Sequence, residues 1–201
     1  MNAPNISTPT GQQNFPIIPE AFWAEFSATL RQRWNPEVEA WWFDKNNWPK
    51  RTELMTNVLV ELARAFGCHY DFESWPKVDV SYYDHSAGHD WNKWSREAAI
   101  EIENADSWRD EVCKLMEINA GLKVLIAYVD NQTNLNEFLD RLPAVYQSRK
   151  YVTKPCNWLF IFGLFGKPDW DFIAIKFDGI MTTSITDNIR IRTAGTHEPI
   201  S

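Results

Sequence analysis

Cysteine is scarce in this chain. Three residues in 201, Cys68, Cys113 and Cys156, are odd in number and far apart. Without a CxxC pair they supply neither a disulfide framework nor zinc-ligand spacing, and they read as reduced, buried thiols of a cytoplasmic protein. Long apolar runs are missing too. No stretch of about 18 apolar residues exists, so nothing is expected to span a membrane. The N-terminus has no basic start, apolar run or small-residue cleavage site, so no secretory signal is expected. Gly163, Gly166 and Lys167 lack P-loop spacing and read as a turn. There is no Gly-x-Ser-x-Gly elbow and no Cys–His pairing. Positive charge is in short supply, with 20 Lys and Arg against 27 Asp and Glu and a net charge of −7. That argues against a DNA-binder working by bulk attraction. A carboxylate cluster that holds cations would itself add negative charge, and a basic groove can be local.

Apolar residues make up 44% of the chain, enough for a core, and there are eleven Trp. Such a content of Trp serves either burial or stacking. The length suits one domain, placed at residues 20–192, with a proline-broken tail over 1–19 and a loose tail over 193–201. The first tail ends in a docking strip of Phe15, Ile17 and Ile18. Phe22, Phe26 and Leu30 predict a helix over 20–34. Residues 35–49, with Trp41, Trp42, Phe43 and Trp48, show no clear period and read as an aromatic plug. Leu54, Val58, Leu62 and Ala65 line a helix over 51–66 that Gly67 stops. Strands follow at 78–83 and 98–104, a helix at 108–119, and a buried strand at 123–128. A helix disturbed at Pro143 is expected over 135–148, then strands at 158–164 and 171–177. A further short strand could lie near 68–72. The sum is an α/β fold with a central mixed sheet and helices on both faces.

The residues that carry chemistry are Asp79, Glu101 and Glu103. Glu101 and Glu103 are two apart in a strand and leave it on the same face, while Ile100 and Ile102 point the other way. Asp79 sits between Val78 and Val80 in the same manner. If the two strands pair, three carboxylates converge, which is unfavourable unless a cation joins them or one keeps its proton. Hard oxygen ligands suit Mg²⁺ or Mn²⁺, which activate water and stabilise a phosphodiester under attack. The plainer alternative is a solvated strand face, although Glu has poor β-propensity in mid-strand. His85 and His89 with Asp84 and Asp90 lack metal-site spacing and read as a substrate-contacting loop or as having no role. Arg149, Lys150 and Lys154 with Tyr151 form a small basic-aromatic patch that either tracks phosphates or is a solvated helix end.

From Glu53 to Tyr128 the chain resembles the PD-(D/E)XK nuclease superfamily. In that family an Asp on one strand precedes an acidic-x-Lys triplet on the next, and a helix and a buried strand follow. Here Asp79, Glu101-Ile102-Glu103, the helix SWRDEVCKLMEIN and the strand LKVLIAY stand in that order. The resemblance implies a restriction-endonuclease-like sheet and a divalent-metal-dependent endodeoxyribonuclease of restriction or defence type. Asp79, Glu101 and Glu103 would be the metal ligands, the cofactor Mg²⁺ or Mn²⁺, and DNA the partner; a homodimer is left open. Glu103 occupies the usual lysine position. Either the Glu-x-Glu variant serves, or Lys114 has taken over from the following helix, with its ammonium facing Glu101. Members of the family also take a Glu from the helix before the Asp strand, and Glu53 is preferred to Glu61 for that role. The alternatives are a non-catalytic member of the same fold, acting as a nucleic-acid-binding or protein-interaction subunit, and an unrelated Trp-rich binding domain.

Overall fold

The structure is a computed structural model that describes residues 16–42, 47–74, 77–84, 94–104, 107–148, 157–165 and 170–191. The chain opens with α1 (Pro19–Arg33), whose first-position proline has no helical N–H to lose and whose last turn carries Arg31 and Arg33 at the negative end of the helix dipole. α2 (Pro36–Trp42) follows, capped by Asn35, whose Oδ1 accepts the N–H groups of Glu37 and Val38 at 2.9 and 3.0 Å. The expected aromatic plug is thus partly helical. Trp42 is its buried anchor, in edge-on contact with Tyr128.

α3 (Trp48–Ala65) stops where the sequence predicts. Gly67 takes φ 67°, which glycine adopts freely. Its N–H bonds to Arg64 O while that of Cys68 bonds to Ala63 O, the paired closure that satisfies the last carbonyls of a helix. β1 (His69–Ser74) occupies the segment where a further strand was an option, followed by β2 (Val78–Asp84) and β3 (Ser95–Asn104). α4 (Trp108–Glu117) leads to β4 (Leu122–Val129), and α5 (Gln132–Ser148) leads to β5 (Asn157–Phe165). α5 runs on through Pro143, where the sequence predicts a disturbance. β6 (Trp170–Phe177) and β7 (Thr182–Ile191) complete the chain order.

The seven strands form one mixed sheet in the order β1-β2-β3-β4-β5-β6-β7. The pairs β3–β4 and β4–β5 are parallel and the others antiparallel. All eight residues of β4 are buried, as a parallel strand covered on both faces requires. α1, α2 and α3 pack on one face against Val80, Tyr82, Ile100, Val124 and Phe172. α4 and α5 pack on the other against Ala99, Leu125, Phe160 and Phe177. Tyr82 ties one helix to the sheet by donating its hydroxyl to Leu59 O within α3. Lys123, 1% exposed, donates to Met116 O at 3.2 Å and so closes the C-terminal end of α4.

Several expectations change. β7 was not foreseen. Cys68 and Cys113 are free thiols but half-buried, not buried. Of the N-terminal strip, Ile17 is buried and Ile18 exposed. Phe15, Phe43, Cys156, the His85–His89 loop, the Arg149–Lys154 patch and the Gly166–Lys167 turn lie outside the described residues. Among the described residues no helix is long and apolar enough to cross a membrane.

Candidate active site

From Tyr82 opposite Ala98 the β2–β3 ladder runs as regular antiparallel pairing down to Val80 opposite Ile100. Beyond that pair Asp79 inserts its side chain between the strands, and its Oδ2 accepts the N–H of Ile102 at 2.8 Å. The carboxylate is therefore fixed by backbone, at the position where the next pair would set it against Glu101. The two charges act on each other, since Asp79 raises the proton affinity of Glu101.

Glu101 is 1% exposed, so it is not on a solvated strand face. Both faces of the sheet are covered at β3. Ile100 and Ile102 enter the core beneath α1 and α3, and Glu101 is directed beneath α4. There Lys114 Nζ lies 2.9 Å from Glu101 Oε1 and 2.5 Å from Glu111 Oε2, and donates to Lys77 O at 3.2 Å. The contact with Glu101 is an ion pair off the hydrogen-bond direction, so the buried Oε1 has no aligned donor. Burial pushes the Glu101 carboxyl up to about 8; the nearby Lys114 ammonium works against this, and the charges of Asp79 and Glu111 add to it. Lys114 itself is held above its ordinary value. Burial would lower it, but the two carboxylates outweigh that.

Glu103, half-buried, sits with Asp79 on a cleft of about 440 Å³. Trp48, Thr52 and Thr56 of α3 form one wall, and Phe72 and Glu73 of β1 another. Glu53 is exposed and is not brought to this cleft; its neighbours Thr52 and Thr56 are. Glu61, the other helix candidate, pairs with Arg33 of α1. The structure thus joins Asp79 to Glu101, Glu101 to Lys114, and Asp79 to Glu103 along the cleft wall. Among the described residues no group of three or more His, Cys, Asp or Glu side chains is arranged to hold a metal ion.

Two of these carboxylates nevertheless suit a hard cation. Mg²⁺ is usually held by one or two carboxylates, with water and substrate phosphate completing its shell. Asp79 and Glu101 are neighbouring carboxyl groups, and Glu101 carries a buried oxygen without an aligned donor. The sequence reading missed Glu111 and the Lys77 carbonyl. The three-residue spacing of Glu111 and Lys114 on a helix was the available signal for the first. Nothing in the sequence marks the second. No family model matches the chain, and no curated protein matches it.

Proposed function

We propose that the chain is a divalent-metal-dependent nuclease that hydrolyses DNA phosphodiester bonds, built on a restriction-endonuclease-like core from α3 to β4. The observation that carries this reading is the ion pair of the buried Glu101 with the half-buried Lys114, beside Asp79. A buried carboxylate next to a second acid lowers stability unless something compensates, so its presence calls for a functional reason. The order α3, β1, β2, β3, α4, β4 agrees with the sequence resemblance, and the cation facing Glu101 comes from α4, as the relocated-lysine alternative requires.

Asp79 and Glu101 would hold Mg²⁺ or Mn²⁺, with Glu103 at the border of the site. Bound there, the ion would activate a water and offset charge on the phosphate. The chain's own part is positioning. The Ile102 N–H orients Asp79. Glu111 and the Lys77 carbonyl hold Lys114 against Glu101, so a fixed positive charge stands beside the ligand pair. Thr52, whose hydroxyl donates to Trp48 O at 3.2 Å, and Thr56 line the cleft wall.

One observation favours the non-catalytic alternative. Lys114 already lies within 2.9 Å of Glu101 and 2.5 Å of Glu111 and donates to the Lys77 carbonyl, so its charge is matched inside the protein and not presented to substrate. Plasmid nicking separates the two readings. With Mn²⁺ the wild type should nick supercoiled DNA, and Glu101→Ala should lose at least about two orders of magnitude in rate, since the metal-activated nucleophile goes with the ligand. A wild type that binds DNA but cuts no substrate would transfer the chain to the non-catalytic reading.

A further inference from the structure

The β2–β3 ladder contains one irregularity. Tyr82 pairs with Ala98, but the next residue, Tyr83, pairs with Arg96, so Glu97 is an extra residue in β3. Arg96 and Glu101 are five apart, and regular alternation would put them on opposite faces of the sheet. The bulge removes one step of alternation and turns Arg96 to the face that carries Glu101. There Arg96 Nη2 donates to Tyr83 Oη at 2.8 Å, with the guanidinium carbon 5.3 Å from the ring centre.

Two more aromatic rings stand beside this pair. The Trp94 ring lies 6.2 Å from that of Tyr83 and 4.9 Å from the imidazole of His69, which is exposed on the edge strand β1. His69, Tyr83 and Trp94 belong to neither apolar core, although the other face of these strands packs on α3 through Tyr82 and Val80. Ser95 Oγ donates to Glu97 Oε1 at 2.5 Å and so engages the carboxylate of the bulged residue. The Tyr83 phenol sits below its ordinary range. Burial would raise it, but hydrogen bonds from Arg96, Ser74 and Ser81 and the charge of Arg96 outweigh that. Tyr83 lies four residues along β2 from Asp79, about 13 Å at the rise of an extended strand.

We propose that His69, Tyr83, Trp94 and Arg96 form a subsite for single-stranded nucleic acid, with a base stacked on the Trp94–His69 aromatic pair and a phosphate on Arg96. This rests on the reading above that a nucleic acid is the substrate, and it gives the chain a preference for unpaired stretches, which supercoiled DNA also offers. Stacking platforms joined to a cation bind single strands, whose base faces are open, whereas a duplex keeps its base faces covered.

The test is fluorescence anisotropy with the full chain in EDTA, so that no strand is cut. The probes are a labelled oligothymidylate of about twelve nucleotides, within the usual footprint of such sites, and a duplex of equal length. The wild type should bind the single strand at least about tenfold more tightly than the duplex, and Trp94→Ala and Arg96→Gln should each weaken it by at least about tenfold. Trp94→Ala should keep the wild-type melting temperature, and Arg96→Lys, which retains the charge, should recover part of the binding. Equal binding of duplex, no binding of either probe, or variants that bind as the wild type does would overturn the subsite. Failure of the nuclease reading looks different. Single-strand binding lost in both variants, with no cleavage by the wild type under Mn²⁺, supports the subsite and removes the nuclease. Cleavage of single strands unchanged in both variants removes the subsite and leaves the nuclease.

Discussion

Glu101→Gln should stabilise the metal-free protein at alkaline pH while removing its response to metal. The Glu101 carboxyl titrates near 8 in the fold and near 4.5 as an ordinary glutamate. At 1.36 kcal/mol per unit the difference amounts to about 5 kcal/mol when fully expressed. Below pH 4.5 both folded and unfolded chains carry the proton and nothing is lost. As pH rises the unfolded chain releases its proton first, so folded stability falls through this window and levels off above pH 8. Gln has no proton to release and keeps the side-chain shape. It does forfeit the attraction to Lys114, which is partly exposed and retains Glu111 as a partner. That attraction already acts within the value of about 8, so the variant should exceed wild type by about 4–5 kcal/mol near pH 8.5 and come close to it near pH 4.5. Urea denaturation in EDTA across this range measures the gap. Adding Mn²⁺ should raise the wild-type melting temperature alone, because a ligand specific to the native state stabilises only the protein that binds it. A gap that does not change with pH, or a variant less stable than wild type at pH 8.5, would refute the claim that burial keeps this carboxyl protonated.

Lys114→Met keeps much of the apolar stem, so it should spare the fold and reduce plasmid nicking by about a hundredfold, more than Glu103→Gln does; the reverse order would give the lysine role to Glu103. Asp79→Asn should abolish the Mn²⁺-induced rise in melting temperature, and an unchanged rise would remove Asp79 from the site. Gly163→Ala would place a Cβ 2.9 Å from Tyr128 Cδ1 and 3.2 Å from Phe172 Cε1, so it should cost about 1–3 kcal/mol by thermal unfolding. Tyr82→Phe removes the hydroxyl bonded to Leu59 O and should cost about 1–2 kcal/mol, without effect on metal response.

Elements whose burial is one-sided or complete were legible in the sequence. α3 showed its stripe of Leu54, Val58 and Leu62, and β4 its unbroken apolar run, because in both the side-chain pattern follows directly from what each face touches. β7 was not legible. Its sequence TTSITDNIRI is mostly polar, with only Ile185, Ile189 and Ile191 on alternate positions, and the strand is defined by backbone pairing to β6 at the edge of the sheet. β3 begins three residues before its predicted start, because the bulge at Glu97 breaks the alternation on which the prediction relied. In the site, the pairing of Asp79 with the Glu101 strand could be read from spacing. The cation could be narrowed to Lys114 or its absence, since a helix registers against a sheet through tertiary packing that sequence spacing does not encode. Glu53 was chosen over Glu61 by distance along the chain alone. Helix rotation decides such a choice, and it turns Thr52 and Thr56 to the cleft instead.

The order of strands in the sheet repeats their order in the chain, and this bears on how the molecule assembles. Every strand pairs with its neighbours in sequence, so no pairing must wait for a distant segment to arrive. The antiparallel sets β1–β3 and β5–β7 can each zip from local turns, on the microsecond scale of hairpin formation. Only β4 must be brought in by two crossovers, through α4 and through α5. Closure entropy grows slowly with loop length, at about 0.6 kcal/mol per doubling, so the two crossovers face similar entropic barriers despite their different spans. The Glu101–Lys114 pair needs β3 and α4 together, so it can form only when the first crossover has folded back onto the sheet.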